Sequence, residues 1–270
     1  MFPIFWRFIR DKKYIFVGYL IGSVAFLEMY VALFPSFSKI AQEKINLLMQ
    51  SYPKEIWTVM GLDPAKLSFG HIESFVATEQ YSFIWPILLI ILAISLANAA
   101  IVSDIEKGTI ELILAQPISR LKIYLSRYLA GATILTVFVF SSVYAIIPLT
   151  KIHHVLIHYQ NNLTIAISGL LLSLSIYSIA MFASSIFSDK GKVSFLIAGL
   201  VILTYVLNIL AGLKDALKDL KYVSFFHYYS AMANFVDNQF IAYSFWFFMG
   251  LILVFSLLGA LWFNRRDIIV

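Results

Sequence analysis

Six apolar runs divide this chain, and each is long enough to cross a bilayer, which takes about 20 residues of helix. They lie at about 14–35, 81–102, 122–148, 163–187, 193–213 and 241–263. Inside hydrocarbon each backbone N–H and C=O needs a partner within the protein, and a helix satisfies these groups within one segment. The sequence therefore predicts an all-α membrane protein with six transmembrane helices, built as a single domain over residues 1–270.

The composition excludes several other classes of protein. Hydrophobic residues make up 61% of the chain and charged residues 13%, whereas soluble domains carry about 25% charged residues. The net charge of +5 indicates membrane topology and lipid contact, and we expect no binding to nucleic acid. Because the chain has no cysteine, it has no disulfide, no thiol nucleophile and no Cys-ligated metal.

The distribution of charge predicts how the spans are oriented. With the N-terminus inside, most of the 20 Lys and Arg residues fall in segments that face the cytoplasm, as the positive-inside rule requires. Both termini are then cytoplasmic, which agrees with an even number of spans. We expect an integral protein of a prokaryotic plasma membrane, with segment 36–80 forming a small external helical cap.

A charged segment at 104–127 separates the second and third apolar runs. Gly108 interrupts it, and Thr109 can cap a helix start by accepting from a free backbone N–H. Pro117 disfavours a helical conformation in the residue before it and so ends that helix. Ser119 can cap the helix that follows. The pattern predicts a helix of about two turns, roughly 10 Å long, and then the third span.

The sequence EKGTIELILAQPISR at 106–120 resembles the intracellular loop of ABC-2-type permeases, the membrane subunits of ATP-binding-cassette exporters. In that family a short coupling helix between spans two and three docks in a cleft of the ATPase. The resemblance implies that the matching residues shape this helix, pack it on the bundle and contact the partner. They are Glu106, Gly108, Thr109, Glu111, Leu112, Leu114, Pro117 and Arg120.

The resemblance extends to other parts of the chain. Family members often have a Phe-Pro or Tyr-Pro pair after the first span, here at 34–35, and a Phe-x-Arg-Arg-Asp block after the last, here at 263–267. The resemblance also implies an amphipathic elbow helix at 2–13. Short re-entrant helices are expected before span six, at 214–221 and 231–240.

The chain lacks the G-x-x-x-x-G-K-[ST] phosphate loop of many ATPases. The resemblance then implies that ATP and Mg²⁺ bind to a separate ATPase subunit, while this chain holds no cofactor and is no enzyme by itself. A second permease, either a copy of this chain or a paralogue, would complete the pathway. The expected function is ATP-driven export of a substrate whose chemical class no motif specifies.

Three polar residues inside the spans are candidates for lining the pathway: Glu28, Asn98 and Ser175. A carboxylate within a span is costly unless it faces protein or water, and Glu28 lies near the outer end, where it can equally reach the interface. Asn98 and Ser175 can instead hold helices together by hydrogen bonds.

Two other functions stay open. An ion-coupled secondary transporter needs a relay of ionisable groups inside the spans, for which Glu28 is a slight basis. A membrane-embedded enzyme needs acids or histidines clustered at one membrane face, for which His153, His154 and His158 are the candidates. The last two are spaced to ligate a metal on a helix. Because no third ligand is evident, we predict no metal site and no catalytic residue.

Overall fold

A computed structural model describes residues 2–51 and 71–266 of the protein. In this part of the chain six helical segments are long and apolar enough to cross a membrane. We number them span one to span six: Phe2–Ser38, Ile72–Ala100, Arg120–Ile152, Tyr159–Ile186, Lys190–Leu213 and Ser244–Arg265. The prediction of an all-α fold with six spans is confirmed.

Span one belongs to a continuous helix, Phe2–Ser51, which extends beyond both ends of the predicted span. The elbow helix expected at 2–13 is not a separate element, because no Pro or Gly between residues 4 and 17 interrupts the backbone. Pro35 lies inside the helix, where it removes one backbone hydrogen bond without ending the helix. The same helix takes up the first part of the predicted external cap, and residues 52–70 of that cap lie outside the described residues.

Span two starts at Ile72, well before the predicted position. It consists of helix Ile72–Val76, the π-helical stretch Ala77–Ile84 and helix Trp85–Ala100. Its first turns are polar, and neighbouring segments cover them. The prediction missed these turns because the hydropathy of a single run does not show which other segments pack on it. Gln80 Nε2 donates to the carbonyl of Ser23 at 3.3 Å, and the Tyr229 hydroxyl donates to the carbonyl of Tyr81 at 2.7 Å.

Span four lies at the centre of the bundle. Its most apolar stretch is 78% buried, compared with 17% in span one and 22% in each of spans five and six. Spans two, three and six all pack against it. At three contacts in the bundle an aromatic ring lies directly on a glycine, where any side chain would overlap the ring. These contacts are Trp85 on Gly169, Tyr177 on Gly131, and Tyr124 on Gly259.

The remaining elements connect the spans. Span three is helix Arg120–Tyr144 followed by helix Ile146–Ile152, and span four contains helix Asn162–Ile186. Before span six come a 3₁₀ segment, a short α-helix and a π-helical turn, at Asp215–Val223, Phe225–Tyr228 and Met232–Val236. The first and third of these pieces lie where short helices were predicted, and the second was not predicted. Phe225, Tyr229 and Phe235 are buried against the bundle. Their re-entry into the membrane stays a prediction.

The two ends of the bundle carry separate groups of polar contacts. We call one end the terminal face: it holds the first turns of span one, residues 101–119, the turn at 187–189 and Arg266. The opposite end, the distal face, holds the loop at 153–161 between spans three and four.

Replacing Gly169 with alanine tests the close packing of spans two and four. The added methyl group would overlap the Trp85 ring, which is held in place because its Nε1 donates to Ser142 Oγ at 2.9 Å. We expect overpacking to lower the free energy of unfolding by about 1–3 kcal/mol, measured as a lower midpoint of thermal unfolding in detergent. Gly199→Ala is the matched control, because its methyl group meets nothing within 4 Å. Equal effects of both changes would contradict this packing.

Candidate functional site

The segment between spans two and three forms two helices of about one turn each on the terminal face. They are Val102–Glu106 and Ile110–Leu114; we call the second the short helix. The chain turns between them at Gly108, whose φ of 69° lies in the left-handed region that favours glycine. Pro117 is exposed and follows the end of the short helix. Ser119 caps span three as predicted, since its Oγ accepts from the backbone N–H of Lys122 at 3.4 Å.

Thr109 stands at the N-cap position of the short helix, but its side chain does not cap it. Its hydroxyl donates instead to Oδ1 of Asp104 at 3.1 Å. The predicted cap was therefore wrong, because the backbone of Thr109 is helical, with φ −79° and ψ −8°. A capping residue adopts an extended conformation, from which its side-chain oxygen accepts from the free N–H groups. Thr109 thereby joins the short helix to the helix before it.

The short helix is buried on one side and exposed on the other. Ile110 is fully buried, and Ile113 and Leu114 pack against the core of the bundle. Leu112 has 73% of its surface exposed, and the neighbouring Glu111 is exposed as well. The helix therefore presents an apolar and an acidic side chain outward from a fixed base.

A partly buried ion pair fixes that base. Arg127 Nη1 lies 2.6 Å from Oδ2 of Asp104, and the two side chains are only 11% and 24% exposed. The same guanidinium donates to the carbonyl of Ala100 at the end of span two, a group that has no partner within its own helix. Arg127 was not predicted as part of the site, because no local pattern relates it to Asp104, 23 residues earlier in the chain.

Arg120, a residue of the predicted coupling site, joins span three to the end of span six by donating to the carbonyl of Arg266. The guanidinium of Arg266 donates to the carbonyls of Ser185 at 2.9 Å and Phe187 at 3.1 Å, and to Ser188 Oγ at 2.6 Å. Burial among these groups lowers the pKa of Arg266. Two arginines thus connect the ends of spans three, four and six beside the short helix.

Glu106, also in the predicted site, extends toward span five. Its Oε2 accepts from the backbone N–H of Lys190 at 3.1 Å, and its Oε1 lies 3.5 Å from Nζ of the same lysine. Lys190 is the first residue of span five. The segment before the short helix therefore contacts the N-terminal end of span five.

A groove of about 490 Å³ lies between the first turns of span one and the short helix. Phe8 and Lys12 line it on the side of span one, and Leu112 and Ile113 line it on the other side. The exposed side of the short helix is thus continuous with a surface that combines apolar groups with charged groups of both signs.

The three predicted pathway residues make separate contacts. Glu28 Oε1 lies 2.7 Å from Nε2 of His153 on the distal face. Asn98 Nδ2 donates to Ser194 Oγ at 2.7 Å and so joins spans two and five. Ser175 is fully buried, and its hydroxyl donates to carbonyls of its own helix. The contacts of Asn98 and Ser175 are those of packing residues, and a role in the pathway stays a prediction for all three.

Two of the three histidines after span three, His153 and His158, each contact one carboxylate of another span. His158 approaches Oε1 of the buried Glu73 through its backbone N–H at 2.8 Å and its Nδ1 at 3.0 Å, and His153 approaches Glu28. Within residues 2–51 and 71–266, no group of three or more His, Asp or Glu side chains is arranged to hold a metal ion. These contacts fasten the loop to spans one and two.

The family profile described as ABC-2 family transporter protein matches residues 5–268, nearly the whole chain. The chain belongs to the ABC-2 transporter family. With its six apolar helices, this ABC-2 protein is an integral membrane protein and a permease component of an ABC transporter. The short helix lies at the place where sequence resemblance to such permeases put the coupling helix. A search of curated proteins and a search of solved structures gave no match.

Removing the arginine at the base of the site tests whether the ion pair holds the segment in place. Arg127→Ala leaves Asp104 without its charged partner in a partly buried position, and we expect a loss of about 1–3 kcal/mol of stability. Limited proteolysis within residues 104–119 should accelerate, together with a lower unfolding midpoint. Lys122→Ala is the control, because this exposed side chain lies in the same helix. Unchanged proteolysis in Arg127→Ala would contradict the role of the pair.

Proposed function

We propose that this ABC-2 protein is the membrane-spanning permease of an exporter that uses ATP hydrolysed by a separate ATPase subunit. The observation that carries the proposal is the short helix, which is anchored on its buried side and open on its outer side. Such a helix would transmit force to the spans through the contacts on its buried side. ATP and Mg²⁺ would bind to the ATPase, and this chain would supply the pathway.

The proposed docking surface consists of Glu111 and Leu112 together with the adjoining groove. Leu112 gives an apolar contact that the partner would cover, and Glu111 and Lys12 give charges that orient it. A small apolar centre with a charged rim is the usual anatomy of a protein interface. The surrounding charges keep this surface outside the hydrocarbon, where a soluble subunit can reach it.

The proposed mechanism is mechanical. When the ATPase subunits bind ATP and close, they displace the short helix, and the ties at its base carry this displacement into the spans. Packed helices of this kind move as rigid bodies between discrete arrangements. Access to the pathway would change from one side of the membrane to the other as the spans tilt.

We further propose that the terminal face is cytoplasmic in a prokaryotic plasma membrane. This face carries Arg120, Arg127 and Arg266 and the basic first turns of span one, as the positive-inside rule requires. The whole chain would act as one transmembrane domain. A second permease would complete the pathway, and Gly18 and Gly22 favour this because they face open space at a spacing that lets another helix approach closely.

Purifying the tagged chain from its native membrane tests this function. Mild detergent should retain a protein with a phosphate-loop motif in stoichiometric amount, identified by mass spectrometry. Leu112→Arg should reduce its recovery by about tenfold or more, because a desolvated contact at the centre of an interface contributes about 2 kcal/mol. Insertion of the variant into the membrane should be unchanged.

Leu156→Arg is the matched control, since this leucine is 94% exposed but lies on the distal face. Recovery of the ATPase with this variant should equal that with the unchanged chain. Isolation of the unchanged chain without any nucleotide-binding protein would overturn the proposed function. Equal loss of the partner in both variants would overturn the proposed docking surface.

A further inference from the structure

Span five is held to the bundle more loosely than span four is. Its most apolar stretch is 22% buried, and its buried residues form a single stripe: Val193, Ile197, Val201 and Thr204. Two polar contacts connect its first turns to other parts of the chain. One is the hydrogen bond from Asn98 to Ser194, and the other is the contact of Glu106 with Lys190.

The contact of Glu106 is at the N-terminus of span five. The first N–H groups of a helix have no partner within the helix, and a negative charge is favourable beside them. Asp189, the residue just before span five, serves one of these groups, because its Oδ1 accepts from the N–H of Lys192 at 3.0 Å. Glu106 serves another, the N–H of Lys190, from a different part of the chain.

We propose that Glu106 is a positioning residue that links the short helix to span five and does not belong to the ATPase-docking surface. This rests on the proposed function and changes the role expected for Glu106 from its motif. Only Lys107, Gly108 and Thr109 separate Glu106 from the short helix, and Thr109 is bonded to Asp104 on the other side of Glu106. Displacement of the short helix therefore displaces Glu106 and the first turn of span five with it.

Hydrogen exchange in the purified chain alone tests the link without an ATPase. Glu106→Ala removes the acceptor of the Lys190 N–H, and exchange at that amide should accelerate about fivefold to tenfold, as expected for the loss of one charge-assisted hydrogen bond. Glu106→Gln keeps an acceptor and should show a smaller effect. Lys190→Ala keeps both the backbone N–H and Glu106, so its exchange should stay close to that of the unchanged chain.

Glu111→Ala is the control, because this acid is exposed on the short helix and has no part in the proposed link. If Glu106→Ala exchanges at the same rate as Glu111→Ala in the peptide covering residues 188–196, the link is overturned. If Lys190→Ala accelerates exchange as strongly as Glu106→Ala, the capping account is overturned.

Spin labels test whether the link transmits motion. Because the chain has no cysteine, labels at Phe195→Cys and Leu257→Cys, on the exposed sides of spans five and six, give one defined distance within each chain. In the complex with its ATPase, ATP should change this distance, and Glu106→Ala should abolish the change while the ATPase still binds. Failure of Glu106→Ala to bind the ATPase would place Glu106 in the docking surface and overturn the inference.

The two proposals fail in different ways. If the unchanged chain binds no ATPase, the proposed function is wrong, and the exchange rates of the isolated chain then decide the link by themselves. If the ATPase binds and ATP moves span five equally in the unchanged chain and in Glu106→Ala, the proposed function stands and the link is overturned.

Discussion

Close packing of helix against helix is the constraint on which the rest of this structure depends. Because hydrocarbon surrounds the spans, burying apolar surface between them gives little net free energy of association. Close van der Waals contact between the helices has to supply that free energy instead. Span four has Gly169 where span two packs against it, and the Trp85 ring of span two fills the space that a side chain would occupy. The hydrogen bond from Trp85 to Ser142 then brings span three into the same contact.

Polar contacts on the terminal face build a second layer on this packed centre. Arg127 joins spans two and three, while Arg120 and Arg266 join the ends of spans three, four and six. Because these groups lie where the helices end, each arginine satisfies carbonyls that have no partner within a helix. The short helix therefore rests on a base of four connected spans, with span five attached through Glu106.

Local chemistry explains which parts of the site were predictable. Six apolar runs imply six spans, Gly108 implies a turn, and Ser119 implies a cap, since each depends on neighbours within a few residues. The cap predicted at Thr109 was wrong because the backbone there is helical and not extended, a conformation that the residue type alone does not specify.

Other features depended on residues far apart in the chain. The contact of Glu28 with His153, and the position of Arg266 among the carbonyls at the end of span four, join segments that no local pattern relates. The start of span two was predicted too late for the same reason, because its polar residues are covered by segments distant in sequence. A family resemblance located the short helix but could not show which side of it is buried.

Photochemical cross-linking from a single position tests the central claim most directly. A photoreactive amino acid in place of Leu112 should form, in native membranes, an adduct with one protein that carries a phosphate-loop motif. The same group in place of Leu156, which is 94% exposed on the opposite face, should form none. Adducts with the same protein from both positions, or with no nucleotide-binding protein from position 112, would contradict the account.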